Sequence, residues 1–208
     1  MRRLFSLFTL LIILTMFLSG CNTNENKANS NKGIVYIYPS NLFKGDTKIL
    51  QPHLDIIGGC VKIQYKGTKK FIGTSIELWE NGKIKSTLNP FYSKIDGTFD
   101  GEVSVSLRDE GPDNASSSFK EVTEISQNGG YSSSTCIIPR FSSSYQYGPK
   151  ELSGSKEVTD NEATAVWGLM AEKGATATYS NDESIEEMAK RVDWAFVLKV
   201  SFSDNTKN

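Results

Sequence analysis

The chain has 208 residues and a formal net charge of −1, with 23 basic and 24 acidic side chains. This balance argues against a nucleic-acid partner, because such sites need a dense basic surface. It also argues against electrostatic docking on anionic lipid, to which each nearby basic residue contributes only about 1 kcal/mol. The length suits one domain of ordinary size or one large β-domain.

The first twenty residues have the pattern of an export signal. Two arginines precede an apolar run over residues 4–17, and small residues follow it. That run is shorter than the roughly 20 residues that a membrane-spanning helix needs. The ending Leu18-Ser19-Gly20-Cys21 resembles the lipobox of bacterial lipoproteins. The resemblance implies that residues 1–20 are a lipoprotein signal peptide, and that Cys21 becomes lipidated as the chain is cut before it.

The same resemblance implies a location, the outer face of the cytoplasmic membrane, with acyl chains as the anchor. Residues 21–33 hold the lipidated cysteine and a polar stretch that cannot bury a core, so we expect a flexible tether. Its r.m.s. reach is about 20 Å, which would keep the folded domain near the membrane. The Asn- and Lys-rich composition of the tether suggests a Gram-positive source.

Period-two alternation of apolar residues begins at Ile34 and predicts β-strands. One short strand starts there, and residues 61–65 form a second. The clearest hairpin joins residues 71–79 to residues 83–88. Asn81-Gly82 separates the two runs, and this dipeptide favours a type I′ turn.

The period changes near the end of the chain. Asn181-Asp182 offers a cap for a helix whose apolar face recurs at 3.6-residue spacing through Ile185, Met188 and Val192. Residues 194–202 then make the most apolar strand in the chain, which we expect at the centre of a sheet.

Repeated short strands joined by Gly-containing turns predict an all-β fold. The specific expectation is an antiparallel β-sandwich of about nine strands, with one short helix before the last strand. It forms a single domain over residues 34–203, followed by a disordered tail at residues 204–208. Residues 108–119 and 139–161 are polar and Ser/Gly-rich, so we expect them to be loops at one end of the sandwich.

If Cys21 carries lipid, Cys60 and Cys136 remain as an even pair in an exported protein. A disulfide between them would close a loop of roughly 75 residues and contribute on the order of 4 kcal/mol. The alternative is two separate buried thiols that behave as small apolar residues. Cys60 shares strand parity with Lys62 and Gln64, which slightly favours the disulfide.

The residue types that catalysis needs are sparse. His53 is the one histidine, so a zinc site would need carboxylates as well. No nucleophile-elbow pattern marks a partner for it. We therefore expect no catalytic residue, no metal and no cofactor. The acidic residues 109–114 hold oxygen ligands that suit calcium, but they lack EF-hand spacing, and a solvated turn is the preferred interpretation.

The best candidate for recognition is a segment rich in rings, serines and glycines. Its proposed binding residues are Tyr131, Arg140, Phe141, Tyr145 and Tyr147. Rigid amphipathic rings among small hydrogen-bonding residues are typical of binding loops, where they stack on a sugar or clamp a peptide. In the alternative, the rings fold back over the open end of the sandwich.

These features favour a non-enzymatic binding or interaction module, held at the membrane through Cys21, with an envelope protein or glycan as its partner. One alternative is a carboxylate-dependent glycan hydrolase, in which the fold would bring together an acidic pair such as Glu77 and Asp100. Another is a structural or protective lipoprotein for an exported partner, whose sign would be a broad apolar patch.

Overall fold

The computed structural model describes residues 33–110, 118–174 and 182–206. The predicted signal peptide, Cys21 and all of the tether before Gly33 lie outside these residues, as do residues 111–114 of the acidic segment. Among the described residues, no helix is long and apolar enough to cross a membrane.

The described chain forms strands β1 to β11 and two short α-helices. The strands are β1 (Ile34–Ser40), β2 (Ile57–Lys66), β3 (Phe71–Glu80), β4 (Lys83–Lys94), β5 (Thr98–Asp109), β6 (Ser118–Gln127), β7 (Gly130–Pro139), β8 (Tyr145–Glu151), β9 (Lys156–Thr159), β10 (Thr164–Lys173) and β11 (Trp194–Ser203). A 3-10 helix (Gly45–Leu50) leads into α1 (Gln51–Leu54), and α2 (Ile185–Arg191) precedes β11.

The strands form two antiparallel sheets packed face to face. The six-stranded sheet has the order β7-β6-β5-β2-β1-β9, and the five-stranded sheet has the order β4-β3-β11-β10-β8. This architecture confirms the predicted β-sandwich and the helix before the last strand. In the described ranges, eleven strands form instead of about nine because β8 and β9 lie within residues 139–161, where we expected a loop. Both are edge strands with largely polar sequences, so backbone pairing defines them more than apolar alternation does. The short α1 is a second helix that the sequence pattern did not predict.

The core lies between the two sheets, and β11 runs through the middle of the five-stranded sheet, as predicted. Phe196 and Leu198 of β11 are fully buried on its inner side. Burial of each such side chain contributes about 1.5–3 kcal/mol. Tyr65 of β2 contacts Phe202 of β11 with ring centroids 4.2 Å apart, which joins the sheets at one end.

Helix α2 covers the outer face of the five-stranded sheet. Its buried residues Ile185, Met188 and Ala189 confirm the apolar face predicted from the sequence. The cap, however, is Ser184 and not Asp182, and Asn181 lies outside the described residues. The Ser184 hydroxyl accepts a 3.2 Å bond from the Glu187 N–H, and a Glu187 carboxylate oxygen accepts a 3.0 Å bond from the Ser184 N–H. This reciprocal capping box starts the helix two residues after Asp182.

The β3–β4 hairpin has the turn that its sequence predicts. Asn81 and Gly82 have φ values of 50° and 73°, and a type I′ turn needs positive φ at both positions. A Cβ atom at Gly82 would lie 2.2 Å from the Lys190 carbonyl oxygen, so the turn packs closely on the end of α2. Glycine is required there for space as well as for conformation.

Cys60 and Cys136 are both free thiols, so the possible disulfide between them is not formed. Cys60 lies on β2 and Cys136 on β7, and β5 and β6 separate these strands in the sheet. Three strand spacings amount to about 14 Å, well beyond the 7 Å limit for the Cα atoms of a disulfide. Strand parity alone contained no information about this separation.

Candidate binding surface

The outer face of the six-stranded sheet is a polar, solvent-facing surface. Side chains alternate along each strand, so Val61 and Ile63 of β2 are buried in the core while Lys62 and Gln64 point outward. The neighbouring strands keep the same alternation. The outer face includes the exposed or partly exposed side chains of Tyr36, Tyr38, Lys62, Gln64, Asp100, Glu102, Glu124, Ser126 and Tyr131.

Strand register arranges this face in rows that cross the sheet. One row runs Tyr38, Lys62, Glu102, Ser126 and Tyr131, with each residue directly opposite the next on the adjacent strand. Four strand spacings separate its end residues by about 19 Å. A tyrosine therefore stands at each end of a row of hydrogen-bonding side chains.

A groove of about 860 Å³ lies on the outer face at the ends of β1, β2 and β5. Its lining combines apolar and aromatic side chains with amides, a carboxylate and an ammonium group, from Ile34, Tyr36, Gln64, Tyr65, Lys66, Thr98, Phe99, Asp100, Gln127 and Asn128. The Tyr36 side chain is 39% exposed, so much of it is open to solvent. This size lies within the range of roughly 300–1,000 Å³ that is usual for ligand sites.

The Asp100 carboxylate that borders the groove is paired with its neighbours. The Gln64 amide donates a 3.2 Å hydrogen bond to Asp100 Oδ2, and Lys62 Nζ lies 3.3 Å from Asp100 Oδ1. Both contacts are exposed, and exposed ion pairs contribute at most about 1 kcal/mol. These groups can therefore exchange their mutual contacts for bonds to a ligand, and the Lys66 ammonium group adds a positive charge to the groove.

A small polar network lies on the outer face at the end of β1 that contains Ser40. The Ser40 hydroxyl donates a 2.9 Å bond to Glu102 Oε1, and Lys44 Nζ forms an ion pair with the same oxygen. Burial raises the pKa of Glu102, but the bonds from Lys44 and Ser40 outweigh it and hold that pKa below its usual value. Burial and the Glu102 charge raise the pKa of the neighbouring Cys60 thiol to about 11. Cys60 therefore stays protonated at neutral pH, and it is a poor nucleophile.

The five residues proposed for binding do not form one site. Tyr131 lies on the outer face, after the β6–β7 turn, and is 72% exposed. The other four lie at or after the end of β7, whose ten residues extend over roughly 33 Å. The Phe141 ring is buried, with centroids 4.9 Å from Tyr147 and 6.4 Å from Tyr145. Of Phe141, Tyr145 and Tyr147, the last is the one that is substantially exposed, at 47%.

Arg140 belongs to the packing around Phe141. Its Nε atom lies 3.2 Å from Asp109 Oδ1 in an ion pair largely shielded from water. Its guanidinium carbon is 5.3 Å from the Phe119 ring centroid and 5.4 Å from the Phe141 ring centroid, within range of a cation–π contact. Arg140 and Phe141 thus pack together at the end of β7, and Asp109 of the acidic segment is paired with Arg140.

A buried polar cluster that the sequence did not single out links the two sheets. Glu121 of β6 is fully buried, and its Oε2 atom accepts bonds from Asn89 Nδ2 at 3.2 Å and from Cys136 Sγ at 3.3 Å. Thr123 donates to the other carboxylate oxygen, and Ser134 donates to Asn89 Oδ1 at 2.8 Å. A signal was present, because Glu121 has the strand parity of the inward-facing Phe119 and Ile125.

Burial governs the chemistry of this cluster. It raises the pKa of Glu121, against the opposing effect of the hydrogen bonds from Thr123, Cys136 and Asn89. Burial and the Glu121 charge raise the pKa of Cys136 to about 12. A thiol with such a pKa is almost never ionised at neutral pH, so this pair of side chains does not form a nucleophile.

The acidic pair considered for a hydrolase is not assembled. Glu77 lies on the outer face of the five-stranded sheet under α2, where it contacts Lys199 Nζ at 3.1 Å and Trp79 Nε1 at 3.2 Å. Asp100 lies on the outer face of the other sheet, so the whole thickness of the sandwich separates the two carboxylates. His53 is exposed on α1. Within residues 33–110, 118–174 and 182–206, no group of three or more His, Cys, Asp and Glu side chains has an arrangement that would hold a metal ion.

Comparison of this chain with protein-family models, curated proteins and solved structures found no match.

Proposed function

We propose that this protein is a non-enzymatic binding module, anchored at the outer face of the cytoplasmic membrane through Cys21, and that its ligand is a glycan of the cell envelope. The anchor is proposed from the resemblance of residues 18–21 to a lipobox. The ligand surface is the groove on the outer face of the six-stranded sheet. The observation that carries the proposal is the open Tyr36 side chain beside the Gln64–Asp100 pair.

The groove has the chemistry that an uncharged, polyhydroxylated chain requires. A ring such as Tyr36 covers the apolar C–H face of a sugar, and its hydroxyl remains available for a hydrogen bond. Sugar hydroxyls both donate and accept, so they match the amides of Gln64 and Asn128 and the carboxylate of Asp100. Lys62 neutralises Asp100, and Lys66 leaves the groove with one positive charge, so a neutral ligand or one with few negative charges fits better than a strongly charged one.

The dimensions of the face suit an extended ligand. The row from Tyr38 to Tyr131 lies next to the Tyr36-Gln64-Asp100 row of the groove and spans about 19 Å across five strands. Rigid strands position every side chain of this row, so binding requires little ordering of the protein. A tether with a reach of about 20 Å would keep this surface within the membrane-proximal envelope.

A sedimentation assay with purified, insoluble envelope glycan tests the proposal. Wild-type protein should sediment with the glycan, and Tyr36→Ala should weaken binding by about tenfold, or about 1.4 kcal/mol. Tyr36→Phe is the matched control, because it keeps the ring and should retain most of the affinity. If wild type stays in the supernatant at all glycan concentrations, or if Tyr36→Ala binds as well as wild type, the proposal is wrong.

A second surface favours the protective-lipoprotein alternative. All residues of the 3-10 helix and α1 are exposed, and they include the large apolar side chains Ile49, Leu50 and Leu54. An apolar patch of this kind suits an exported protein as partner. A photo-crosslinker at position 50 that traps one defined protein in native membranes, in wild type and in Tyr36→Ala alike, would favour this second function over the first.

A further inference from the structure

The four edge strands of the sandwich differ in how they are protected from pairing with another chain. Edge strand β4 (KIKSTLNPFYSK) carries lysines, a proline and register shifts. Edge strand β8 (YQYGPKE) contains Pro149 and Lys150, and β9 is only four residues long and begins Lys-Glu. Lysines, prolines, irregular register and short length are the usual devices that prevent edge-to-edge association.

Edge strand β7 has none of these devices along its central residues. Its sequence GYSSSTCIIP contains no charged side chain over ten residues, and its single proline is the last of them. Every residue of β7 pairs with β6 in unbroken register. Within the described part of the chain, no strand pairs with its other side.

The hairpin geometry identifies which backbone groups of β7 are unpaired in the sheet. Asn128 and Gly129 both have positive φ, so the β6–β7 turn is a two-residue type I′ turn. Gln127 and Gly130 flank this turn, and the two residues of such a flanking pair exchange backbone hydrogen bonds. Along the two strands, hydrogen-bonded pairs then alternate with pairs whose backbone groups point away from each other. The backbone groups directed away from the sheet therefore belong to Tyr131, Ser133, Thr135 and Ile137.

The side chains of these same four residues point to the outer face, and they are arranged symmetrically about Ser134. Tyr131 and Ile137 are among the most exposed large apolar side chains, at 72% and 57%. If two copies of β7 pair antiparallel with Ser134 opposite Ser134, each Tyr131 lies opposite the other copy's Ile137. Ser133 then lies opposite Thr135, and both pairs bring outward-directed backbone groups together.

We propose that β7 is a homodimerisation edge, at which two copies of this chain pair antiparallel about Ser134 and join their six-stranded sheets into one. Four residue pairs contribute about eight backbone hydrogen bonds, and Tyr131 and Ile137 cover each other twice. The symmetry of the apolar residues selects a second copy over an unrelated extended peptide. The pairing leaves Tyr36, Gln64 and Asp100 of the groove outside the contact, because they lie on β1, β2 and β5. Tyr131, at the end of the outer-face row, takes part in the contact.

Site-directed cross-linking in membranes tests both the contact and its register. Two differently tagged full-length copies are co-expressed, one with Ser133→Cys and the other with Thr135→Cys. The proposed pairing puts their Cα atoms about 5.5 Å apart, within disulfide range, whereas two Ser133→Cys copies would be about 9 Å apart. The mixed pair should cross-link, and the Ser133→Cys homodimer and wild type should not. Equal yields from mixed and homologous pairs would overturn the register, and no cross-linking in any pair would overturn the contact.

A backbone substitution tests the edge without a thiol. Thr135→Pro removes an N–H group that points away from β6, so the β6–β7 pairing can persist. Thr135→Val is the matched control, because it keeps the N–H and a β-branched side chain. We expect full-length wild type and Thr135→Val in detergent to dissociate from dimer to monomer between about 100 µM and about 1 µM, and Thr135→Pro to be monomeric throughout.

The thermal midpoint of each protein separates loss of the edge from loss of the fold. A Thr135→Pro chain that is monomeric and folded supports the proposal. A Thr135→Pro chain that still dimerises, or a wild type that is monomeric at every concentration, overturns it. If Thr135→Pro unfolds, Thr135→Lys replaces it, since a charge on the outer side of the edge blocks pairing and leaves every backbone bond of β7 in place.

Discussion

Cys136 Sγ lies 3.3 Å from Glu121 Oε2, so a half-buried thiol contacts a fully buried carboxyl group between the two sheets. Asn89 approaches the same oxygen from β4, which is the edge strand of the opposite sheet. The contact therefore ties the edges of the two sheets together. Its chemistry makes the stability of the sandwich dependent on pH.

The first prediction concerns Glu121→Gln. Burial raises the pKa of Glu121 in the folded protein above its unfolded value of about 4.3. Between the unfolded and the folded pKa of Glu121, the folded state binds more protons than the unfolded state. Wild-type stability therefore falls as pH rises from about 4 through the folded pKa. Glutamine can keep the bonds from Asn89 and Cys136 and can donate to Thr123. Glu121→Gln should therefore lose that decline and be at least as stable as wild type at pH 7.

Urea unfolding between pH 4 and 8 measures this difference. Glu124→Gln is the matched control, because Glu124 is on the same strand but faces outward. Identical pH profiles for Glu121→Gln and wild type would contradict the role assigned to Glu121.

The second prediction concerns the two thiols. The raised pKa values of Cys60 and Cys136, about 11 and about 12, keep both thiols protonated at pH 8. In the folded protein both should react slowly with iodoacetamide, whereas Ser133→Cys, exposed on β7, should add one fast-reacting site. After unfolding without reductant, mass spectrometry should find both native thiols alkylated. Failure of both to react until a reductant is added would restore the disulfide.

The third prediction concerns Lys199, which lies under α2. Its Nζ atom contacts Glu77 at 3.1 Å and Glu186 at 2.6 Å. Burial lowers the pKa of Lys199, but the bonds that Lys199 donates to these carboxylates outweigh it and raise that pKa above its usual value. Lys199→Met would leave Glu77 buried without its cation and should cost about 2 kcal/mol, below the usual range for buried pairs because Glu186 is partly exposed. Equilibrium unfolding measures the loss.

Two further variants identify the cause of that loss. Lys199→Met combined with Glu77→Gln should recover part of the stability, since the unpaired charge is gone. Lys190→Met, on the exposed side of α2, should have little effect. A loss of equal size in Lys190→Met would assign the effect to the helix and not to the ion pair.

The fourth prediction concerns the anchor. Cys21→Ala should abolish lipid attachment, so that the chain either retains its signal peptide or appears in the medium. Cys60→Ala is the matched control and should remain membrane-bound at the mature mass. Fractionation and mass spectrometry measure both outcomes. A Cys21→Ala chain that stays in the membrane at the mature mass would contradict lipidation at Cys21.

Local patterns predicted those parts of the fold that depend on neighbouring residues. Asn81-Gly82 predicted its own turn, the spacing of Ile185 and Met188 predicted α2, and the apolar run of β11 predicted a central strand. Residues 139–161 were misjudged, because edge strands β8 and β9 form through backbone pairing with distant strands. No local pattern encodes such pairing.

The candidate site was harder to predict for a related reason. Tyr131 and Phe141 are close in sequence, but β7 extends between them, so one lies on the outer face and the other is buried. Tyr36 and Asp100 become neighbours only when β1, β2 and β5 align in register. Glu121 had a detectable signal in its inward-facing parity, but its partner Asn89 comes from the other sheet.

The central claim is that ligand binds the outer face of the six-stranded sheet and not the aromatic end around Phe141. Two tyrosines with similar exposure, Tyr36 at 39% and Tyr147 at 47%, allow a direct comparison. The measurement is the dissociation constant for soluble envelope glycan fragments, determined by titration calorimetry with wild type, Tyr36→Ala and Tyr147→Ala. We predict that Tyr36→Ala weakens binding by about tenfold and that Tyr147→Ala binds like wild type. The reverse order, with Tyr147→Ala impaired and Tyr36→Ala unaffected, would contradict the claim.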